Sequence, residues 1–349
     1  MITVQIIIFI LGLILVFFTL LSAVRTFILP RSAPDIISLF VFKTIRKFFE
    51  FSVSRTQDYL RRDAIMAFYA PISLLTLLPT WLILVSIGYA AMYWASGIQS
   101  WKLAYTISGS SLLTLGFAKG DTMIQTLLEF SEATIGLILV ALLIAYLPTM
   151  YAAFSKREVA VNLLSVRAGT PPSPIEMLLR FNRIHTLDQL NEQWRAWERW
   201  FAEVEESHTS LSALVFFRSP EPNHSWVTAS GTILDSASLT LSAIDTPWDP
   251  QAALCIRAGY LALRKIADYF HVDYNPYPSF PEEPISVTRT EFVAACDRMR
   301  EQNIPIKPDI DQAWLDFAGW RVNYDKVLIA LSRLTMAPKT MWSSDRLTD

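Results

Sequence analysis

Residues 110–121 read Ser-Ser-Leu-Leu-Thr-Leu-Gly-Phe-Ala-Lys-Gly-Asp and lie between two strongly apolar segments. Trp101 to Leu113 favours a helix too short to cross a membrane, and Thr114 to Phe117 follow it as a Thr-x-Gly-aromatic turn. Non-helical backbone at membrane depth survives only when it is buried in protein or lines a water-filled path. The stretch therefore predicts a re-entrant loop beside an ion or solute path. The alternative is an ordered outer hairpin between two spans.

Three segments are apolar enough to cross a hydrocarbon core, which takes about 20 residues. They are Val4–Ala23, a stretch within Ala64–Ala95, and Thr134–Phe154. Pro71 is predicted to start the second membrane helix and Pro79 to kink it. A cleaved signal peptide is the alternative for the first segment, but no Lys or Arg precedes its apolar run.

The chain has 349 residues, of which 52% are hydrophobic, and a net charge of −2, which gives no support to a nucleic-acid partner. Its two cysteines, Cys255 and Cys296, cannot build a disulfide framework and suit a reducing compartment. Basic residues crowd the loop between the first two spans and directly follow the third. The positive-inside rule then places the N-terminus outside and everything after Phe154 in the cytoplasm. This architecture suggests a bacterial inner membrane.

The first span is predicted within residues 1–24, and the cytoplasmic loop that follows covers residues 25–63. This loop is predicted to carry an amphipathic helix that begins at Pro34. Its predicted apolar face consists of Ile37, Val41, Ile45, Phe48 and Phe49. The opposite face carries charged residues, Lys43, Arg46, Lys47 and Glu50. A basic helix of this type lies in the membrane interface and attracts anionic lipid. Two interpretations stay open: a cuff that transmits movement to the pore, and a passive anchor.

Residues 174–349 predict an all-α cytoplasmic domain, joined to the third span through a linker at 158–173. The third membrane helix is expected to continue to Ala168 and to stop at Gly169, before a hinge at Thr170–Pro174. Helix starts are predicted at Ser173 with Glu176, Thr186 with Gln189, Trp226, Asp249, Thr288 with Glu291, and Asp309 with Gln312. The last helix is expected to reach about Thr335, and Leu214–Phe217 is the one stretch with a strand pattern.

Residues 64–157, with their order of span, short helix, turn and span, resemble the potassium-channel pore module. The filter of that family reads Thr-Val-Gly-Tyr-Gly-Asp after a Ser/Thr-rich helix end. Four consecutive filter positions match Thr114, Leu115, Gly116 and Phe117, and the helix end matches Ser110 and Ser111. The resemblance implies that backbone carbonyls of four chains, a homotetramer, replace the hydration shell of potassium or another monovalent cation. The second half resembles the long C-terminal region of potassium-channel-like bacterial proteins.

Two residues depart from the family pattern. Ala118 stands where the family has its second filter glycine, and a left-handed backbone there would cost about 1–2 kcal/mol per chain. Lys119 stands at the position of the family's Asp, at the predicted pore mouth, where it would repel cations. Asp121 and Glu132 are the candidates to neutralise it. A further alternative is that Gly120-Asp121 replaces the family's Gly-Asp after a two-residue insertion.

In the third span, Gly136 and Pro148 are predicted to be bends of an inner helix, with the gate near Pro148. The alternative is that Pro148 is simply tolerated near a helix end. Both positions are natural hinge candidates, because glycine adds backbone freedom and proline removes a hydrogen-bond donor from the helix.

No enzymatic motif is present, and the four histidines lack metal-ligand spacing. No catalytic residue, no cofactor and no metal beyond the permeant ion are therefore expected, and the sequence names no ligand or protein partner for the cytoplasmic domain. Two functions follow from different classes. One is a potassium-channel-like cation channel gated by its cytoplasmic domain. The other is a non-conducting membrane-anchored sensor or scaffold with a vestigial pore loop.

Overall fold

The computed structural model describes residues 2–29, 35–56 and 58–346. Within these residues every regular element is a helix, and the one β-type contact is an isolated bridge between Ile244 and Ile306. The prediction of an all-α chain is therefore confirmed for the part of the chain that the structure describes.

The chain divides into two compact units. The first unit falls within residues 1–57 and 65–152, and the second within 58–64 and 153–349. The α-helices are, in chain order, α1 (Ile2–Phe27), α2 (Ile36–Val53), α3 (Tyr59–Met66), α4 (Tyr69–Ala95), α5 (Trp101–Leu112), α6 (Met123–Ala168), α7 (Pro174–Arg183), α8 (Leu190–Ser210), α9 (Trp226–Ser242), α10 (Pro250–Tyr269), α11 (Arg289–Glu301), α12 (Ile310–Arg321) and α13 (Asp325–Thr335).

Three helical stretches are long and apolar enough to cross a membrane: α1, the pair α3 and α4, and α6. The predicted spans are confirmed to this extent, but two boundaries differ. Helix α4 begins at Tyr69, ahead of Pro71, and runs through Pro79. Helix α6 begins well before Thr134, because Thr122 and Gln125 exchange backbone-to-side-chain hydrogen bonds at 3.4 and 3.2 Å, the pattern of a capping box.

Helices α1 and α4 pack closely because glycines face each other at their crossing. A Cβ atom built on Gly12 would lie 2.5 Å from the carbonyl oxygen of Gly88, and one on Gly88 would lie 2.7 Å from Val16. Small residues allow such backbone approach between membrane helices, where packing replaces the hydrophobic driving force. The crossing therefore depends on both glycines.

A buried polar corner joins α1, α2 and α4. The Ser22 hydroxyl donates to the Asp35 carboxylate at 2.5 Å and accepts from the Trp81 indole N–H at 3.0 Å. The Asp35 carboxylate also caps α2 by accepting from the Ser38 N–H at 2.9 Å. The helix predicted after the first span is thus present from Ile36, whereas its predicted start at Pro34 lies outside the described residues.

In the second unit, α9 is the central helix, and every one of its residues is buried. Helices α7, α10, α12 and α13 pack directly around it, and α8 packs on α10. The core is rich in large side chains, among them Trp194, Phe201, Phe292, Phe317 and Trp342. A contiguous core of this size supports a folded domain of its own.

Several predicted helix signals are confirmed. Ser173 caps α7 by accepting from the Glu176 N–H, Asp249 caps α10, and Asp309 caps α12. Thr288 and Glu291 form the full capping box of α11. Helix α6 ends at Ala168, and Gly169 follows with a φ of +85°, a backbone conformation that glycine adopts without a steric penalty.

Four predictions in this half are wrong. The Glu176 carboxylate binds Arg180 at 2.8 Å instead of returning to the backbone of Ser173. Helix α8 begins at Leu190, since Thr186 makes no capping bond and its hydroxyl donates to the Phe181 carbonyl at 3.4 Å.

The stretch predicted as a strand, Leu214–Phe217, lies mainly in a short 3₁₀ turn, Ser212–Phe216. The last helix, expected to be continuous, breaks between α12 and α13. Helix α3 was not predicted at all, because its sequence is short and strongly charged.

Candidate functional site

Helix α5 is the short helix expected between the second and third spans. It has 12 residues, about 18 Å of helix, so it is shorter than a hydrocarbon core. The Ser100 hydroxyl caps its start by accepting from the Leu103 N–H at 3.4 Å. Its buried face contains Ala104, Ile107 and Ser108 and packs on α4.

The backbone turns sharply after α5. The Ser110 carbonyl accepts hydrogen bonds from the N–H groups of Leu115 at 2.7 Å and Gly116 at 3.3 Å. Thr114 and Gly116 both take left-handed backbone conformations, with φ of +54° and +71°. Residues 114–117 are all exposed within the single chain, and Phe117 is 69% exposed. The Thr-x-Gly-aromatic segment is thus an irregular loop that the described residues of its own chain leave exposed.

Ala118 carries none of the strain expected for a non-glycine residue at this position. It is absent from the residues with positive φ, and the strained conformation falls on Thr114 instead. The Ala118 N–H donates to the Ser110 hydroxyl at 3.0 Å, which ties the loop back to the end of α5. The left-handed conformation on which the expected cost depends is therefore not taken at Ala118.

The next residues are held by side chains of the first turns of α6. The Glu129 carboxylate accepts from the Gly120 N–H at 2.5 Å, and the Gln125 side-chain oxygen accepts from the Asp121 N–H at 2.9 Å. Lys119 is exposed, and no ion pair reaches it from the described residues. Among the described residues neither Asp121 nor Glu132 forms an ion pair with Lys119, and the Glu132 carboxyl group binds two hydroxyls instead.

Glu132 was considered from the sequence only as a neutraliser of Lys119, and its role between three helices was missed. Its side chain is fully buried, and its two oxygens accept from the Ser108 hydroxyl of α5 at 2.5 Å and the Tyr93 hydroxyl of α4 at 3.0 Å. The Ser108 hydroxyl lies 2.9 Å from that of Ser86 on α4. Ionisable residues within membrane helices are rare and mark functional positions. One carboxyl group thus joins α4, α5 and α6 directly behind the loop.

A periodic pattern could have pointed to Glu132. The buried residues of α6 include Gln125, Glu132, Gly136, Leu139, Leu143 and Tyr146, which recur at helical spacing. Two polar residues share this face with apolar ones, and a polar residue on a buried face needs a partner. The partners come from two other helices, so the sequence does not reveal them.

Gly136 has a packing role rather than an evident bend. A Cβ atom at this position would lie 2.2 Å from the Leu112 carbonyl oxygen, so the glycine lets the end of α5 lie directly against α6. Helix α6 continues through both Gly136 and Pro148, and Pro148 is exposed. The gate assigned to these positions stays a prediction.

Some apolar side chains of helix α2 are buried and others are exposed. Val41 and Phe49 are buried against the first unit, whereas Phe48 is exposed beside the exposed Lys47. Arg46 pairs with Glu50 at 2.7 Å. An exposed aromatic ring flanked by lysine is the composition expected of a helix at a lipid interface.

The loop offers backbone groups, rather than a cluster of metal-binding side chains, as its chemical groups. Among the described residues, no group of three or more His, Cys, Asp or Glu side chains could hold a metal ion. Both cysteines are buried and unpaired, and burial raises the pKa of the Cys296 thiol to about 11.

Comparison of the chain with protein-family models, with curated proteins and with solved structures finds no match.

Proposed function

We propose that four copies of this chain form a potassium-channel-like pore that conducts monovalent cations passively through the backbone of residues 114–117. The observation that carries the proposal is an irregular, uncovered loop after a 12-residue helix, between two helices long enough to span a membrane. Lipid cannot satisfy the carbonyl groups of such a loop, so protein or water must cover it.

The surroundings of the loop support a fixed position for it. The Ser110 carbonyl and hydroxyl hold the loop from one side, and Glu129 and Gln125 hold it from the other. Glu132 and Gly136 join α5 to α6 behind it. Preorganised carbonyl groups are what a selective filter requires, because they must replace the hydration shell of the ion at once.

The number of chains follows from the resemblance and from the single loop in each chain. Four loops would close a ring, with each α5 pointing its C-terminal partial negative charge toward the centre, which favours a cation there. The pore would lie in a bacterial inner membrane with residues 174–349 in the cytoplasm, α2 on anionic lipid, and a gate near Pro148.

Ion flux from liposomes that contain the purified protein tests the proposal. We expect potassium efflux that is lost in Gly116→Asp. Gly97→Asp is the matched control, because Gly97 also has a positive φ and no neighbouring atoms within 4 Å, but it precedes α5. Absence of flux under any applied voltage or pH would overturn the channel. Equal flux of potassium and sodium would leave a channel without potassium selectivity.

One observation favours the alternative, a non-conducting membrane-anchored sensor or scaffold. Lys119 is exposed at the predicted mouth, and four ammonium groups would repel cations within a Debye length of about 8–10 Å. Lys119→Asp separates the two functions. In a channel it should raise cation conductance, whereas a scaffold would show no flux in either form and would be monomeric or dimeric by native mass spectrometry.

A further inference from the structure

The second unit has an arginine-lined cleft of about 390 Å³ between the end of α6, helix α7 and the start of α8. Its lining includes Arg167, Arg180 and Arg183, and among the described lining residues only Glu192 carries a carboxylate. The cleft is separate from the loop and from every residue assigned to the pore above. Its size is within the range of small-molecule sites, about 300–1,000 Å³.

The three guanidinium groups have different constraints. Arg180 is fixed, since it binds the Glu176 carboxylate at 2.8 Å and donates to the Val166 carbonyl at 2.6 Å. Arg167 makes one long bond of 3.4 Å to the Leu163 carbonyl of its own helix. Arg183 is exposed and has no ion pair among the described residues. Two guanidinium groups are therefore available to an anion.

The rest of the lining argues against a bare inorganic ion. Val166 is 72% exposed and Ile184 is 63% exposed, so the cleft offers apolar surface beside its charges. The side-chain amides of Gln189 and Gln193 also line it, and each can both donate and accept a hydrogen bond. This set suits a molecule with an anionic end, an apolar body and a polar edge.

We infer that this cleft binds a soluble organic phosphate of mononucleotide size. The planar guanidinium fork matches phosphate oxygens in paired hydrogen bonds, which a halide ion cannot accept in that way. The apolar side chains contact the body of the ligand, and the two glutamines bind its polar edge.

A phospholipid headgroup carries the same phosphate chemistry, but the length of α6 argues against it. Twelve residues of continuous helix separate Phe154, the predicted end of the third span, from Val166, about 18 Å along the axis. A headgroup layer extends only about 5–7 Å beyond the hydrocarbon core. This step rests on the proposed topology, whereas the phosphate chemistry does not.

Isothermal titration of the full-length protein in detergent with AMP, GMP and UMP tests the inference, and it needs no ion flux. At least one nucleotide should bind saturably at one site per chain, at least about 10-fold tighter than inorganic phosphate. Arg167→Gln with Arg183→Gln should weaken that binding at least about 10-fold. Arg199→Gln, an exposed arginine of α8 outside the cleft, should leave it unchanged.

Each other outcome overturns the inference. Binding of inorganic phosphate as tight as that of the nucleotides would remove the organic body. Equal binding by the double variant would place the ligand elsewhere. Saturable binding of monomeric dihexanoylphosphatidylglycerol that the double variant abolishes, with no nucleotide binding, would assign the cleft to lipid. No saturable binding of any probe would leave the cleft without a ligand of this class.

Discussion

The two units each bury a carboxylate completely, and they satisfy it in opposite ways. Glu132 in the first unit accepts hydrogen bonds from two hydroxyl groups, those of Ser108 and Tyr93, and no cation reaches it from the described residues. Asp235 in the second unit binds the fully buried Arg321 guanidinium and accepts from the Tyr324 hydroxyl at 2.8 Å.

The difference shows what each environment permits. Burial opposes the charge of Arg321, but the carboxylates of Asp235 and Asp325 outweigh it and raise the pKa of the guanidinium. Such a pair needs both partners, because a single charge left in a low-dielectric core is costly. The first unit holds its buried acid without an ion pair among the described residues, since the groups that donate to Glu132 are neutral hydroxyls.

Replacement of the buried arginine, Arg321, should have the largest effect on stability. Arg321→Met leaves Asp235 and Asp325 buried without a counter-ion, and we expect a loss of about 3–5 kcal/mol in the unfolding free energy of the second unit. Arg289→Met is the matched control, since its pair with Asp311 is exposed and should contribute less than about 1 kcal/mol. Denaturant unfolding followed by tryptophan fluorescence measures both. Equal losses would mean that burial does not decide the value of the pair.

Neutral amides in place of the two acids test the comparison directly. Asp235→Asn should cost about 1.5–3 kcal/mol, the range for a hydrogen bond to a charged group, because Arg321 loses a charged partner. Glu132→Gln should cost less than about 1 kcal/mol, since an amide keeps one acceptor oxygen and its partners are neutral hydroxyls. Hydrogen exchange of α9 and α5 peptides, measured by mass spectrometry, reports each unit separately.

One outcome would contradict the expected difference between the two amide variants. If Glu132→Gln loosens α5 as much as Asp235→Asn loosens α9, the negative charge of Glu132 has a cationic partner. That partner would lie outside the described residues of one chain.

Local signals made much of the helical pattern predictable. Ser173, Thr288 with Glu291, and Gly169 act within a few residues of their own position, so a linear pattern identifies them. The break after Arg321 has only a weak local signal, because Gly319 lies inside the last turn of α12 and no proline follows it. It accompanies two buried side chains, Arg321 and Tyr324, that bind Asp235 on another helix.

The candidate site divides in the same way. The short helix α5 and the turn after it were predictable, since their order between two apolar segments is a property of the linear sequence. The roles of Glu132 and Gly136 were not, because they depend on Ser108 and Leu112 of another helix. The capping box of Thr122 and Gln125 could have been predicted from the sequence, because both residues lie within one helical turn, but it was missed.

Backbone contact in the first unit can be tested at two glycines. Gly136→Ala places a Cβ atom 2.2 Å from the Leu112 carbonyl oxygen, and neither backbone can yield, so we expect a cost of about 1–3 kcal/mol and faster exchange in α5. Gly109→Ala on α5 meets no atom within 4 Å and should stabilise that helix by about 0.5–1 kcal/mol. If Gly109→Ala instead disrupts oligomers, this face of α5 contacts a second copy.

The smallest effect expected concerns a buried histidine of the second unit. Burial and the adjacent Arg157, whose guanidinium lies 3.2 Å from the ring, lower the pKa of His208 well below its usual value. Arg157 also pairs with Glu158, and the Ser207 hydroxyl and the Trp226 ring complete the surroundings of the imidazole. The neutral ring therefore accepts a hydrogen bond from Arg157.

Because the unfolded chain binds a proton at His208 more readily than the folded chain, stability should fall as the pH drops below about 6.5. The slope attributable to this residue is at most about 1.4 kcal/mol per pH unit. His208→Gln keeps an acceptor for Arg157 and should flatten the difference in melting temperature between pH 7.5 and 5.5. The exposed His271, replaced by Asn because its φ is +55°, should leave that difference unchanged. A slope that survives His208→Gln would place the acid-sensitive group elsewhere in the protein.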